Sequence, residues 1–195
     1  MGSSEDDGIT AATAPTPPAI TGGLSCISLV LRSLLFAATG ASIAVMVTGK
    51  QTKEIISLPP FPPLVMVAKF DYSPSFIRYF VAATSVACVY SLVSAVGTAV
   101  WLRRPNSASG TLSFLLAFFD ALILGIVASA TGAGVSIAYV GLRGNSHVGW
   151  IKICNMFDKF CWHIGGSLVL SGAATVILVL LVMLSTFSLH RRSRR

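Results

Sequence analysis

Apolar residues run almost unbroken through four stretches of the chain, about 24–48, 76–102, 111–140 and 164–189. Each exceeds the roughly 20 residues that a helix needs to cross the hydrocarbon core of a bilayer. A helix that is apolar on every face must be buried on every face, and lipid is the solvent that allows this. The pattern predicts an all-α membrane protein, a four-transmembrane-helix bundle occupying residues 24–189. Arg103-Arg104-Pro105 ends the second stretch, and His190 followed by arginines ends the fourth. Residues 1–23 hold Gly, Ser, Thr, Pro and acids without apolar periodicity and read as a disordered tail. Between the first two stretches, Pro59, Pro60, Pro62, Pro63 and Pro74 rule out a further continuous helix. The segment LPPFPPLVMV in that connection is still apolar, which places it on the membrane surface or against the other long loop. The connection 103–110 is short and polar, whereas 141–163 carries enough aromatic residues and cysteines for a small folded element.

Composition agrees with lipid as solvent: 54% of the 195 residues are hydrophobic and 11% are charged, too much apolar surface for a soluble domain to hide. The net charge of +7 is not spread over a surface as a nucleic-acid binder would need; it gathers at chain ends and connections. Six Lys and Arg crowd into 103–110 and 190–195, and six more are thinned over the far longer 49–75 and 141–163. Dense basic segments beside helix ends stay on the cytosolic side, so both termini are expected in the cytosol with two extracellular loops. The tail 1–23 and the basic tail 190–195 are then cytosolic, and the terminal arginines contact anionic lipid. Long spans suit the thick plasma membrane.

The candidate chemistry is sparse. Asp120 lies deep in the third stretch and Arg32 deep in the first. An acid in hydrocarbon needs a partner. With both spans rising from the same side, a 1.5 Å rise per residue sets both charges about 12–14 Å above their helix starts. Matched depth permits a bidentate Arg–carboxylate pair, which Lys could not reproduce. The expected role is a structural clamp that fixes which helices are neighbours. The competing role is a proton or ion site in a channel or transporter, for which the middles of the spans otherwise offer only Ser, Thr and Tyr90 as polar groups.

Ala117, Ala121, Gly125, Ser129 and Ala133 recur every four residues along the third span, a ridge that lets a helix approach closely within the bundle or between protomers. Ser33, Ala37 and Ala41 make a similar row on the first. Cys26 and Cys88 fall inside apolar spans and read as small buried hydrophobes. Cys154 and Cys161 lie in an outer loop, where an oxidising compartment permits a disulfide. With His147 and His163 they could also be drawn as a zinc site, although the spacing matches no common zinc pattern. No Gly-x-Ser-x-Gly, Walker loop or His-Glu-x-x-His is present, so neither an enzyme nor a cofactor is expected.

A tetraspan with Arg in span one and Asp in span three resembles the plant CASP-like family, the relatives of the Casparian strip membrane domain proteins. The stretches VLRSLLFAATGASIAVMVTGKQTKEI, FFDALILGIVASATGAG, YVGLRGNSHVGWIKICNMFDKFCWHIGGS and LHRR carry the resemblance. More distantly the layout is similar to MARVEL-domain tetraspans, which adds a lipid-sorting or trafficking role as a further alternative. The resemblance implies a non-enzymatic plasma-membrane scaffold that associates with itself and with related family members in contact with membrane lipids. It also implies secreted cell-wall enzymes as partners. The family's intramembrane Arg and Asp map onto Arg32 and Asp120, and its outer-loop cysteines onto Cys154 and Cys161. The first outer loop, SLPPFPPLVMV, departs from that of Casparian strip proteins proper and points to a CASP-like relative with a different tissue or partner.

Overall fold

A computed structural model of the chain describes residues 18–49, 51–56, 64–68, 75–103 and 110–193. Four long helices dominate it: α1 (Pro18–Thr48), α2 (Ser75–Leu102), α3 (Gly110–Arg143) and α4 (Asp158–Ser193). Each contains a segment long and apolar enough to cross a membrane, namely Ser25–Thr48, Ile77–Trp101, Ser113–Arg143 and Asp158–His190. With water absent from the hydrocarbon, every backbone N–H and C=O must be bonded inside the segment, and a continuous helix achieves that. The helices outrun the apolar stretches at several ends. α1 opens on Pro18, whose missing N–H would be unbonded in a first turn anyway. α4 opens on Asp158, a carboxylate at the positive end of the helix dipole, so Asp158 and Lys159 belong to a helix rather than to a free turn.

The helices form a ring in which α1 packs on α2 and α4, and α3 packs on α4 and, more sparsely, on α2. α1 and α3 therefore face each other across a diagonal. Burial differs from that of a soluble bundle in how many polar side chains are inside and how many large apolar ones are outside. Thr39, Ser42, Thr84, Ser91, Ser167 and Ser171 are fully buried, while Val30, Leu34, Val89, Phe118, Val169 and Met183 are largely exposed. Lipid tails are as apolar as Leu, so bulky side chains are free to face the bilayer, and small hydroxyl residues that permit close helix approach share the interior with Leu35, Phe80 and Leu178. Ser42 and Ser167 each donate a hydroxyl to the other's carbonyl, at 3.0 and 2.9 Å, tying α1 to α4. Thr131 and Ser171 meet at 2.7 Å between α3 and α4. Gly134 completes that seam: a Cβ there would stand 2.5 Å from Leu168 Cδ2.

The connections gather at the two ends. At the end opposite the chain termini, β1 (Gln51–Ile56) pairs antiparallel with β2 (Leu64–Ala68), Gln51 opposite Ala68 and Thr52 opposite Val67. This hairpin is an addition to the all-helical expectation. Its strands contain QTKEII and LVMVA, and its ends are linked through 57–63, outside the described residues along with the expected prolines. The second connection at that end folds as a bridge between Asn145 and Trp150, then a single 3-10 turn at Ile153–Asn155. Gly144 makes the turn possible at φ +68°, and a Cβ there would meet the Trp150 carbonyl oxygen at 2.7 Å. The expected disordered tail lies outside the described residues up to 17, and 18–23 are helical, part of α1 rather than disordered; 104–109 and the final two arginines also lie outside the described residues.

Candidate functional site: a buried charge cluster across the bundle

Arg32 and Asp120 project into the bundle centre from the two helices that do not touch side by side. Arg32 Nη1 donates to Asp120 Oδ1 at 3.1 Å, and Nη2 donates to Oδ2 at 2.8 Å. Both side chains are shut off from the exterior, at 1% and 0% exposure. The planar fork of the guanidinium matches the two carboxylate oxygens, a geometry that a point-like ammonium cannot supply. The pair thus spans the diagonal from α1 to α3. It does not mark those helices as neighbours, which departs from the role expected for it from depth alone.

A third helix completes the cluster. Tyr90, on α2, donates its hydroxyl to Asp120 Oδ1 at 2.6 Å, with the Leu116 carbonyl a longer alternative at 3.4 Å. Asp120 accepts three hydrogen bonds, and its charge is balanced by one cation. Tyr90 was readable in the sequence only as a polar group in a span. At 1.5 Å per residue it lies about 18 Å from the end of α2, a depth comparable to that of the pair, and this was the available signal. Depth says nothing about which way a side chain faces around its helix, and the cluster needs both. Arg32 Nε is the one buried side-chain polar atom left without a partner among the described residues. Arg78, also within the second apolar stretch, sits in the first turn of α2 at the opposite end and is exposed.

One helical turn beyond the cluster, Leu35, Ala87, Ile123, Val127, Leu178 and Leu181 are buried against one another. A second apolar group, Met46, Ile77, Phe80, Ala130 and Leu168, fills the bundle farther along. The buried hydroxyls on that side are taken up locally: Thr39 and Thr84 donate to the carbonyls of Leu35 and Phe80 on their own helices, and Ser42 with Ser167 and Thr131 with Ser171 bond each other between helices.

The small-residue ridge of α3 looks elsewhere. Ala117 is half-buried, while Ala121, Gly125, Ser129 and Ala133 are exposed on the outer surface, flanked by exposed Phe118 and Leu122. Ser129 reaches α2 there, its hydroxyl 3.1 Å from that of Tyr79. Ser33, Ala37 and Ala41 on α1 are exposed as well. The close approaches inside the bundle use a different set, Ser42, Thr131, Gly134, Ser167 and Ser171. Serines and glycines abound in all four spans, and the sequence does not distinguish inner rows from outer ones.

Cys154 and Cys161 are joined in a disulfide between the 3-10 turn and the first turn of α4, with Cα atoms 5.6 Å apart. That bond removes both thiolates from any zinc set. His147 is exposed, and His163 Nδ1 lies 2.8 Å from the Lys159 carbonyl oxygen. Cys154 Sγ faces Gly141, so the bridge pins the loop to the end of α3. Cys88 is half-buried, and Cys26 is exposed rather than buried.

Comparison with known proteins brings a match to the Casparian strip membrane protein domain over residues 21–177. CASP-like protein 1D1 of Arabidopsis thaliana is 50% identical over 182 residues, 93% of this chain and 93% of its own length. CASP-like protein 1D1 of Vitis vinifera is 48% identical over 89% of this chain and 82% of its own. CASP-like protein Ni6 of Beta vulgaris subsp. maritima is 47% identical over 85% and 84%. No solved structure matches the chain.

Proposed function

Because the chain belongs to the Casparian strip membrane protein family, we propose that it is a non-enzymatic scaffold of the plasma membrane. In this reading it associates with copies of itself and with related family members, organises a membrane subdomain and recruits secreted cell-wall-modifying enzymes. Both termini lie in the cytosol, and the hairpin and the disulfide loop face outward. The observation that carries the proposal is the direction of the α3 ridge. A row of small residues on a bundle's outer surface gives a second helix a place to approach closely, while its own bundle closes with other residues.

The intramembrane pair supports the scaffold by holding the bundle in one shape. A transport role for Asp120 has less in its favour. Its carboxylate is committed to Arg32 and Tyr90, an apolar cluster packs next to it, and the buried hydroxyls farther along are bonded to carbonyls or to one another.

The test is single-molecule imaging of the tagged protein in plant plasma membrane. The expected result is immobile patches that bleach in several steps, with Gly125→Leu reducing the step count. Freely diffusing particles that bleach in one step would overturn the proposal.

A further inference from the structure

The charge cluster is closed on one side by apolar packing and open on the other. From the cluster toward the end that bears both termini, the helices leave a partly open cavity of about 490 Å³ to which all four contribute. Arg32 and Tyr90 form its inner end, and Trp101 and Ser188 lie near its outer end. Between them the wall alternates apolar side chains with hydroxyls from every helix: Ser28 on α1, Ser94 and Thr98 on α2, Ser113 on α3 and Ser185 on α4. Ser94 and Thr98 return their hydroxyls to the α2 backbone at 3.1 and 2.7 Å. Ser28, Ser113, Ser185 and Ser188 draw no such bond among the described residues.

The deepest polar group in the wall is the guanidinium of Arg32, 1% exposed to the exterior, with Nε unpartnered. An N–H without an acceptor in a low-dielectric interior costs about 1–3 kcal/mol, more on a charged group. Charged residues within membrane spans face either a protein partner or a water-filled cavity, and Arg32 is placed to do both.

We propose that this cavity is an aqueous vestibule, open at the termini-bearing face and blind at the Arg32–Asp120–Tyr90 cluster. Its occupant is water or a small neutral hydrogen-bonding solute. The chemistry selects that class. Arg32 and Asp120 cancel each other's charge, so the wall attracts neither a cation nor an anion strongly, while hydroxyls on all four helices reward any molecule that both donates and accepts. At about 30 Å³ per water the volume holds on the order of ten or more molecules. Water at the inner end lies against Arg32 and Tyr90, and the apolar layer formed by Leu35, Val127 and Leu178 stops the water there. The vestibule therefore hydrates the pair from one face of the membrane without forming a pore.

Substituted-cysteine accessibility tests this in the full chain, reconstituted in vesicles of one orientation with Cys26 and Cys88 replaced by Ala. The membrane-impermeant probe is a charged methanethiosulfonate, which reacts with thiolate and so requires water at the sulfur. Ser28→Cys, Ser113→Cys and Ser185→Cys should react from the termini-bearing side at least about tenfold faster than the lipid-facing controls Val30→Cys and Met183→Cys. A one-unit rise in thiol pKa in apolar surroundings alone gives that factor. None should react from the hairpin side. Equal rates at Ser185→Cys and Met183→Cys would overturn the vestibule, and reaction from both sides would overturn its blind end.

Hydroxyl-radical footprinting of the unsubstituted protein removes any dependence on the variants' folding. Leu116, which lines the cavity, should be oxidised faster than Leu35 and Leu178, which have the same side chain and do not, and equal rates would count against the proposal. A lipid that co-purifies with the protein and slows labelling until it is extracted would replace water as the occupant and sink the idea.

Discussion

Breaking the cluster one partner at a time should cost far more than removing it whole. In Arg32→Leu, Asp120 keeps its place at 0% exposure and loses its only counter-charge and two of its three hydrogen bonds. In Asp120→Leu, Arg32 is stranded in the same way. Two hydrogen bonds to charged groups are worth about 1.5–3 kcal/mol each, or about 3–6 together, which brackets the 3–5 kcal/mol measured when buried pairs lose one member. At 1.4 kcal/mol per tenfold change, either single replacement should lower the folded-to-unfolded ratio by two orders of magnitude or more. The double replacement Arg32→Leu/Asp120→Leu removes both desolvation costs together, leaving an apolar centre and a Tyr90 hydroxyl that can turn to the Leu116 carbonyl. It should recover about half or more of the loss. The assay is reversible unfolding in mixed micelles, read by helical circular dichroism for the wild type, both singles and the double, which yields the coupling energy directly. A coupling below about 0.5 kcal/mol, within the usual error of additivity, would refute the reasoning. So would a double variant no more stable than the weaker single.

Two further predictions follow from the same geometry. Tyr90→Phe should destabilise by about 1.5–3 kcal/mol through loss of the 2.6 Å bond to Asp120, and the effect should fall by more than half in the Asp120→Leu background; an unchanged effect there would assign the loss to packing instead. Gly144→Ala should destabilise the loop by at least about 1 kcal/mol, because its positive φ strains any side chain and the new Cβ meets the Trp150 carbonyl. Faster amide exchange at Asn145 and Trp150, whose backbones bond each other, is the readout, and unaltered exchange would refute the prediction.

Much of the architecture is legible because lipid is a demanding solvent. It leaves long apolar stretches only one way to satisfy their backbones, so the four helices follow from stretch length. The depth of Arg32 and Asp120 could likewise be counted from helix starts, and in the structure they lie within hydrogen-bond distance. What failed to appear was everything that depends on angle around a helix axis. Stretches that are apolar on all sides carry no moment to orient them, so matched depth suggests that α1 and α3 are neighbours, whereas they stand diagonally. For the same reason Tyr90 remained a bystander, and the inner rows through Ser167 and Ser171 were indistinguishable from the outer row through Gly125. The β1–β2 hairpin was hidden differently. Its register is set by backbone pairing between two short runs, and the prolines between them argued only against a helix.

The diagonal run of the Arg32–Asp120 pair has a mechanical meaning. Four rods joined in a ring, each touching only its neighbours, make a hinged quadrilateral, which can skew into a rhombus without changing any side. A single brace from corner to opposite corner turns it into two triangles and removes that freedom. α1, α2, α3 and α4 are the rods, and the two bonds of 3.1 and 2.8 Å are the brace. Side-by-side contacts of any strength could tighten the edges and still leave the cross-section free to shear. Here the outline of the bundle is fixed across its diagonal by one guanidinium and one carboxylate, next to the apolar layer of Leu35, Val127 and Leu178.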